Sequence, residues 1–258
     1  MPFATARGHR LEYAWFGTTT VPARPIVMLH EGLGSLALWR DFPQRLADAT
    51  QHRVLVYSRL GYGRSDALTG ARGVDFMHAE ALEVLPQLLD SLGAHNPVIF
   101  GHSDGASIAL IHAARAHRPV AGVVVLAPHV FVERYGIDSI AAARRAYLDG
   151  DLRAKLARYH DDVESAFWGW NDIWLHPDFV AWNIETLLPE IARPELAIQG
   201  VDDEYGTIEQ LDRLERGVRA ARRLELTACG HSPHRDQPDA VLAAVTSFLA
   251  EHSLRTFP

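Results

Sequence analysis

Short apolar runs alternate with amphipathic stretches along most of the chain. The runs have the length of strands, and several are apolar throughout, which is typical of strands covered on both faces. The predicted strands are residues 24–30, 53–58, 97–101, 120–128, 194–200 and 222–228. The stretches with helical spacing are residues 36–49, 75–93, 104–117, 207–219 and 238–252. This alternation predicts an α/β fold, with a mostly parallel central sheet and helices on both faces.

One segment departs from the alternation. Residues 131–190 contain helical patterns and no strand-like run. This segment holds four of the six tryptophans: Trp168, Trp170, Trp174 and Trp182. We therefore predict a core domain built from residues 1–130 and 191–258, interrupted by a helical cap. The cap either packs a small core of its own or forms a lid whose aromatic underside walls a pocket, and both descriptions can hold together.

Composition and charge exclude several classes of protein. The 258 residues are 48% hydrophobic, which is enough for a full core. A net charge of −7 without long basic runs argues against nucleic-acid binding. No apolar run is long enough to span a membrane, no signal-peptide pattern opens the chain, and the single cysteine cannot form an intramolecular disulfide. We expect a cytoplasmic protein with a small-molecule substrate; its oligomeric state is not predicted.

The stretch "VIFGHSDGASIAL" contains a Gly-x-Ser-x-Gly pattern centred on Ser103. The pattern follows an apolar run and opens a helix, which is the setting of a nucleophile elbow. Gly101 and Gly105 would allow the sharp turn and the close packing of the helix. The alternative is a tight turn in which Ser103 only caps the helix.

Partners for a nucleophilic serine follow two later strands. A serine hydroxyl needs a base to remove its proton, and a carboxylate to orient that base. "AIQGVDDEYG" offers Asp202 and Asp203, and "TACGHSPHRDQP" offers His231 and His234. If the strands are parallel, these loops and the serine lie at the same end of the sheet. Cys229 is a weaker candidate nucleophile because no glycine-flanked elbow surrounds it.

Taken together, the motifs "LHEGLGS", "SRLGYGRSD", "GHSDGA", "QGVDDEYG" and "GHSPHRDQP" resemble those of α/β-hydrolase fold enzymes over nearly the whole chain. The resemblance implies Ser103 as nucleophile and Asp203 as the triad acid in preference to Asp202. It implies His231 as the base, with His234 in a supporting position. No cofactor and no metal ion are expected.

An oxyanion hole is implied by the same resemblance. One backbone N–H should come from Asp104, directly after the nucleophile. The other should come from Gly32 in the "HEGLGS" loop, or from Leu33 if that loop is shifted. Here Glu31 stands where the family usually has a glycine. We expect Glu31, Leu33 and the cap residues Trp168, Trp170 and Trp174 to contact the substrate.

Two acidic residues, Asp104 and Glu31, lie next to the predicted oxyanion hole. The "GHSDGA" elbow and the cap are similar to those of α-amino acid ester hydrolases of the valacyclovir-hydrolase type, in which this aspartate holds the substrate ammonium. The hypothesis is that Asp104, with Glu31 as a second contributor, favours amine-bearing or otherwise polar esters. The alternative is that Asp104 only complements the helix dipole.

The predicted function is a serine hydrolase that cleaves small carboxylic esters through an acyl-enzyme. Thioesters, lactones and amides share this chemistry. A carbon–carbon bond hydrolase of aromatic meta-cleavage products is the enzymatic alternative on the same fold. A non-catalytic small-molecule binder is the alternative from another class, because a fold and a motif do not fix a function.

Overall fold

The computed structural model describes residues 1–18 and 24–254. Within them, eight strands form one sheet in the spatial order β1-β2-β4-β3-β5-β6-β7-β8. They are β1 (Phe3–Ala6), β2 (His9–Phe16), β3 (Ile26–Leu29), β4 (Val54–Tyr57), β5 (Val98–His102), β6 (Gly122–Leu126), β7 (Glu195–Gly200) and β8 (Ala221–Leu226). Strands β3 to β8 pair in parallel, whereas β1–β2 and β2–β4 are antiparallel. The predicted α/β fold with a mostly parallel sheet is confirmed, and each predicted strand is present.

Burial on both faces explains why the central strands read as continuous apolar runs. Every residue of β3, β4, β5 and β6 is buried. Successive side chains alternate between two hydrophobic clusters, one on each face of the sheet. Because β3, β5, β6 and β7 are parallel, their carboxyl ends lie at the same edge of the sheet, and the loops that follow them can bring polar groups together there.

The helices cover both faces. They are α1 (Phe42–Thr50), α2 (Phe76–Ala79), α3 (Leu85–Ser91), α4 (Asp104–Arg115), α5 (Arg134–Asp149), α6 (Leu152–Leu156), α7 (Val163–Trp174), α8 (Glu209–Gly217), α9 (Pro233–Asp236) and α10 (Pro238–Glu251). None of the helices in the described ranges is both long and apolar enough to cross a membrane.

Two predicted helices are interrupted. The stretch 36–49 is a 3₁₀ turn, Leu36–Trp39, followed by α1, and the chain bends between them at Arg40, whose φ is 54°. The stretch 75–93 contains a π-helical turn, Glu80–Val84, between α2 and α3. Helical periodicity alone predicts neither interruption.

Between β6 and β7 the chain is mainly helical, as its lack of strand-like runs predicts. Helices α5, α6 and α7 are followed by 3₁₀ turns at Pro177–Ala181 and Glu185–Glu190. The buried side chains of this segment join the same hydrophobic cluster as one face of the sheet. The segment therefore packs onto the sheet's own core rather than around a separate one.

Candidate active site

Ser103 lies in a strained turn between β5 and α4. Its φ of 53° and ψ of −119° are unfavourable for a residue with a side chain, and such strain costs on the order of 1–3 kcal/mol. A side chain at Gly101 would overlap the backbone of Gly105, and one at Gly105 would overlap the backbone of Leu29. The two glycines thus allow β3, β5 and α4 to approach closely and hold the serine at the end of its strand.

A chain of hydrogen bonds connects three of the predicted residues. The Oγ of Ser103 lies 2.9 Å from Nε2 of His231. The Nδ1 of His231 lies 2.8 Å and 3.0 Å from the two carboxylate oxygens of Asp203. Since an ionised carboxylate only accepts, Nδ1 carries the proton and Nε2 faces the serine as an acceptor. This is the protonation state in which a histidine can take a proton from a hydroxyl.

The surroundings of Asp203 keep it ionised. Its oxygens also accept the Tyr205 N–H at 2.8 Å and the Gln199 amide at 3.2 Å. Burial raises the pKa of Asp203, but the charge and hydrogen bond of His231 and the Tyr205 N–H outweigh it, so the pKa lies below its ordinary value. Burial lowers the pKa of His231, but the charge and hydrogen bond of Asp203, together with the charges of Glu204 and Glu31, outweigh it, so the net pKa of His231 is raised.

The competing candidates lie outside this chain of hydrogen bonds. Asp202 is exposed at the surface beside the buried Asp203. His234 is buried against the ring of Trp39, at 4.6 Å between ring centroids. Burial, aided by the charge of Asp236, raises the pKa of the Cys229 thiol to about 11. Cys229 is therefore protonated at neutral pH, the unreactive form of a thiol.

The loop after β3 fixes the peptide group that precedes Gly32. The carbonyl oxygen of Glu31 accepts hydrogen bonds from His30 Nδ1 at 2.7 Å, Arg59 Nη2 at 2.9 Å and the Gly34 N–H at 3.1 Å. In a trans peptide the N–H points opposite to the C=O. The Gly32 N–H therefore points away from these donors, and Gly32 lines the cavity that contains the serine.

Asp104 begins α4, but its carboxylate does not line this cavity. One carboxylate oxygen accepts the indole N–H of Trp174 at 3.1 Å, and the other lies 3.5 Å from the guanidinium of Arg59. Both groups are buried. The carboxylate is engaged by these two groups and does not line the cavity, which favours a structural role for Asp104 over the hypothesis that it holds a substrate ammonium.

The cavity beside Ser103 has a volume of about 160 Å³. Two expected contact residues from α7, Trp170 and Trp174, line it together with Glu31 and Leu33. The expectation for Trp168 is wrong. Its indole N–H donates to Glu164 at 2.9 Å, and its ring lines a separate cleft on the outer side of α7. Residues four apart share a helix face, whereas Trp168 is rotated away from the face that Trp170 and Trp174 share.

Sequence reasoning missed several groups that surround the histidine. His129, after β6, packs its ring 5.7 Å from that of His231, and burial together with the charge of His231 lowers the pKa of His129 to about 3. The ring of Tyr205 lies 4.8 Å from His231, and Glu204 accepts the His231 backbone N–H at 3.0 Å. His129 and Glu204 follow the carboxyl ends of parallel strands, which is the signal that could have found them.

His102, the residue before Ser103, was also missed as a connecting group. Its Nδ1 lies 3.3 Å from the carboxylate of Glu31, and its Nε2 lies 2.7 Å from the carbonyl oxygen of His231. Burial raises the pKa of Glu31, but the hydrogen bond and charge of His102 lower it by more than burial raises it. The pKa of Glu31 therefore lies well below its ordinary range. The cavity wall therefore carries an ionised carboxylate beside the Gly32 peptide.

Solved structures resemble this chain over nearly its full length. An enol-lactonase from Burkholderia xenovorans LB400 has a TM-score of 0.76 at 22% identity, covering 96% of this chain and 100% of the other. An esterase from Exiguobacterium antarcticum has a TM-score of 0.76 at 18% identity, covering 96% and 98%. At such identities the likeness concerns the fold alone.

Sequence comparison identifies the family. A protein of Stutzerimonas stutzeri strain A1501, provisionally named the carbamate hydrolase RutD, is 28% identical over 169 residues, or 64% of this chain. The match spans 57% of that protein, little more than half of its length. A sequence model of the α/β hydrolase fold matches residues 24–170, more than half of the chain. The chain therefore belongs to the α/β-hydrolase fold family.

Proposed function

We propose that this protein is a serine hydrolase that cleaves small carboxylic esters through an acyl-enzyme. The observation that carries the proposal is the hydrogen-bonded chain from Ser103 through His231 to Asp203, with the serine held in a strained turn beside a cavity. A nucleophile, a base and a group that orients the base are the parts that acyl transfer requires.

In the first half of the proposed reaction, Ser103 Oγ attacks the carbonyl carbon while its proton passes to His231 Nε2. The carbonyl π electrons move to the oxygen, which becomes an oxyanion. The tetrahedral intermediate then expels the alcohol, which takes the proton from His231. Asp203 stays ionised and stabilises the imidazolium that forms in between.

In the second half, water replaces the alcohol. His231 takes a proton from the water, whose oxygen attacks the acyl carbon of the ester formed on Ser103. Collapse of the second tetrahedral intermediate releases the carboxylic acid and returns the proton to the serine oxygen. The oxyanions of both halves are assigned to the N–H groups of Gly32 and Asp104, and losing one such donor typically costs about 100- to 1000-fold in rate.

We assign substrate contacts to Glu31, Leu33, Trp170 and Trp174, and a capping role to residues 131–190. A cavity of about 160 Å³ suits an acyl or alcohol group about the size of benzene. The names of the similar proteins, an esterase, an enol-lactonase and a provisional carbamate hydrolase, all describe cleavage at an acyl carbon. Lactones and carbamates therefore belong among the substrates to be tried.

The test is hydrolysis of p-nitrophenyl acetate by the wild type and by Ser103→Ala. Turnover should fall by at least about 10³-fold in the variant, because no other group replaces the nucleophile. A fluorophosphonate should label Ser103 in the wild type at one equivalent per chain, and pretreatment with it should abolish turnover.

Two results would count against the proposal. Equal turnover by Ser103→Ala would show that the ester is cleaved elsewhere. A wild type that neither cleaves any ester, lactone or carbamate nor reacts with the fluorophosphonate would favour a binder without catalysis.

A further inference from the structure

We propose that Arg59 is a positioning residue that sets the orientation of both N–H donors of the oxyanion hole. This inference rests on the hydrolase function proposed above. Arg59 belongs to the "SRLGYGRSD" motif, which the proposed mechanism does not otherwise use. Its side chain is 1% exposed and is not among the residues that line the cavity, so it acts only through its neighbours.

A single nitrogen of Arg59 reaches both sides of the site. Its Nη2 lies 2.9 Å from the carbonyl oxygen of Glu31, 3.3 Å from that of His30 and 3.5 Å from the Asp104 carboxylate. The backbone N–H of Arg59 also donates to His30 Nε2 at 3.0 Å. The loop after β3 and the first residue of α4 are therefore tied to the same guanidinium.

These contacts act on the groups that would meet the oxyanion. Holding the Glu31 carbonyl fixes the plane of the following peptide, and so the direction of the Gly32 N–H. Holding the Asp104 side chain fixes the first residue of α4, whose N–H is the second donor. Donors oriented before the reaction need no reorganisation when charge develops, which is why their placement matters for rate.

The cost of burying Arg59 argues that it does more than fill space. Its Nε and Nη1 have no hydrogen-bond partner among residues 1–18 and 24–254. The guanidinium also lies 4.9 Å from the ring of Tyr62. A buried, incompletely bonded cation stabilises a fold less than an apolar side chain of similar volume would. The contribution that we assign to Arg59 is instead to fix the directions of the Gly32 and Asp104 N–H groups.

The experiment compares Arg59→Met with Arg72→Met. Arg72 lies 5.1 Å from the same Tyr62 ring, but it donates to the carbonyl of Leu60 rather than to either donor loop, which makes it the matched control. Active sites are counted with the fluorophosphonate, so that misfolded protein does not lower the measured kcat. The substrate is p-nitrophenyl acetate, and the second probe is phenylboronic acid, whose adduct with the serine is tetrahedral.

We expect Arg59→Met to lower kcat per active site by about 10- to 1000-fold and to change KM by less than about threefold. Its affinity for phenylboronic acid should fall in parallel with kcat. Arg72→Met should stay within about threefold of the wild type in all three quantities. A purely structural role of Arg59 would lower the number of active sites and the Tm, and leave kcat per site unchanged.

Arg59→Lys keeps the experiment decisive if Arg59→Met does not fold. A lysine ammonium lacks the planar fork and the reach that serve both loops, so kcat and boronate affinity should both fall by at least about tenfold. Either folded variant with wild-type kcat per site and boronate affinity overturns the inference. If wild type and Ser103→Ala cleave the ester equally, the proposed function itself fails before any Arg59 variant is made, and the inference falls with it.

Discussion

Among single residues, Asp203 is the one that, in the proposed mechanism, sets the pH range in which His231 acts as a base. Only neutral His231 can take the serine proton, and the net effect of its surroundings raises its pKa above the ordinary 6.5. We therefore expect the acidic limb of kcat/KM to lie above pH 6.5. In Asp203→Asn this limb should move to lower pH, and kcat should fall by about 10³- to 10⁴-fold because the histidine is no longer held in its tautomer.

The measurement is kcat/KM for p-nitrophenyl acetate between pH 5 and pH 9, with Asp202→Asn as the control. Asp202 is the exposed neighbour, and among the described residues the His231 ring is hydrogen-bonded to Asp203 and Ser103 rather than to Asp202. Its variant should retain both the limb and the rate. An acidic limb that stays in place in Asp203→Asn would contradict the assigned partner of the histidine.

The sequence predicts some site residues but not the contacts between them, because the contacting residues lie far apart along the chain. The order of Ser103, an aspartate and a histidine can be read from loops that follow strands, since parallel strands bring those loops to one edge. The choice of Asp203 depended on family resemblance. The contact between Asp104 and Arg59 joins residues 45 positions apart through a buried side chain, and no local pattern predicts it.

Among the elements, strand β7 begins with a carboxyl group that makes stability depend on pH. Glu195 is fully buried, and within the described residues its oxygens have no hydrogen-bond partner. Burial raises its pKa to about 8. The folded state thus holds a proton that the unfolded chain releases near pH 4.5, so stability should fall as the pH rises from about 4.5 to 8 and level off above that.

Thermal unfolding at pH 5 and pH 8 tests this. Wild-type Tm should fall between these pH values by about 5 °C more than that of Glu195→Gln, which cannot ionise. Glu190→Gln is the control, because the exposed Glu190 carboxylate pairs with Arg115 at the surface and should leave the wild-type slope unchanged. Equal slopes in the wild type and Glu195→Gln would show that Glu195 is not buried as described.

The elements that sequence analysis missed are those whose burial is one-sided. Five of the six predicted strands, β3 to β7, are buried along their whole length, and their apolar runs reveal them. The sixth, β8, was predicted although it lies at the opposite sheet edge with mostly half-exposed side chains. The hairpin of β1 and β2 lies at the sheet edge, where half-exposed side chains dilute the pattern. The clearest sequence signal for this hairpin was Gly8, in a turn where Arg7 and Gly8 have φ of 48° and 80°. Such a pair of positive values joins antiparallel strands tightly.

For the molecule as a whole, the sheet, the helical segment and the loops together enclose a cavity whose wall carries two carboxylates, one of them paired with His102. Its carboxylates are Glu31 and Glu204, and the described residues that line it include neither lysine nor arginine. The hydrogen bond and charge of His102 hold the pKa of Glu31 well below its ordinary range despite burial. Two like charges several Å apart repel by a few kcal/mol at the effective dielectric of a protein surface.

We therefore expect the enzyme to discriminate between two esters of equal length. p-Nitrophenyl butyrate should be cleaved with a kcat/KM at least about tenfold higher than p-nitrophenyl hydrogen succinate, which carries a carboxylate at the acyl end. In Glu31→Gln the ratio should shrink by about fivefold or more. Asp172→Asn is the matched control, because Asp172 lines the outer cleft beside Trp168, and removing its charge should leave the ratio unchanged. A wild type that cleaves both esters equally, or an identical ratio in Glu31→Gln, would show that the acyl group lies elsewhere than beside Glu31.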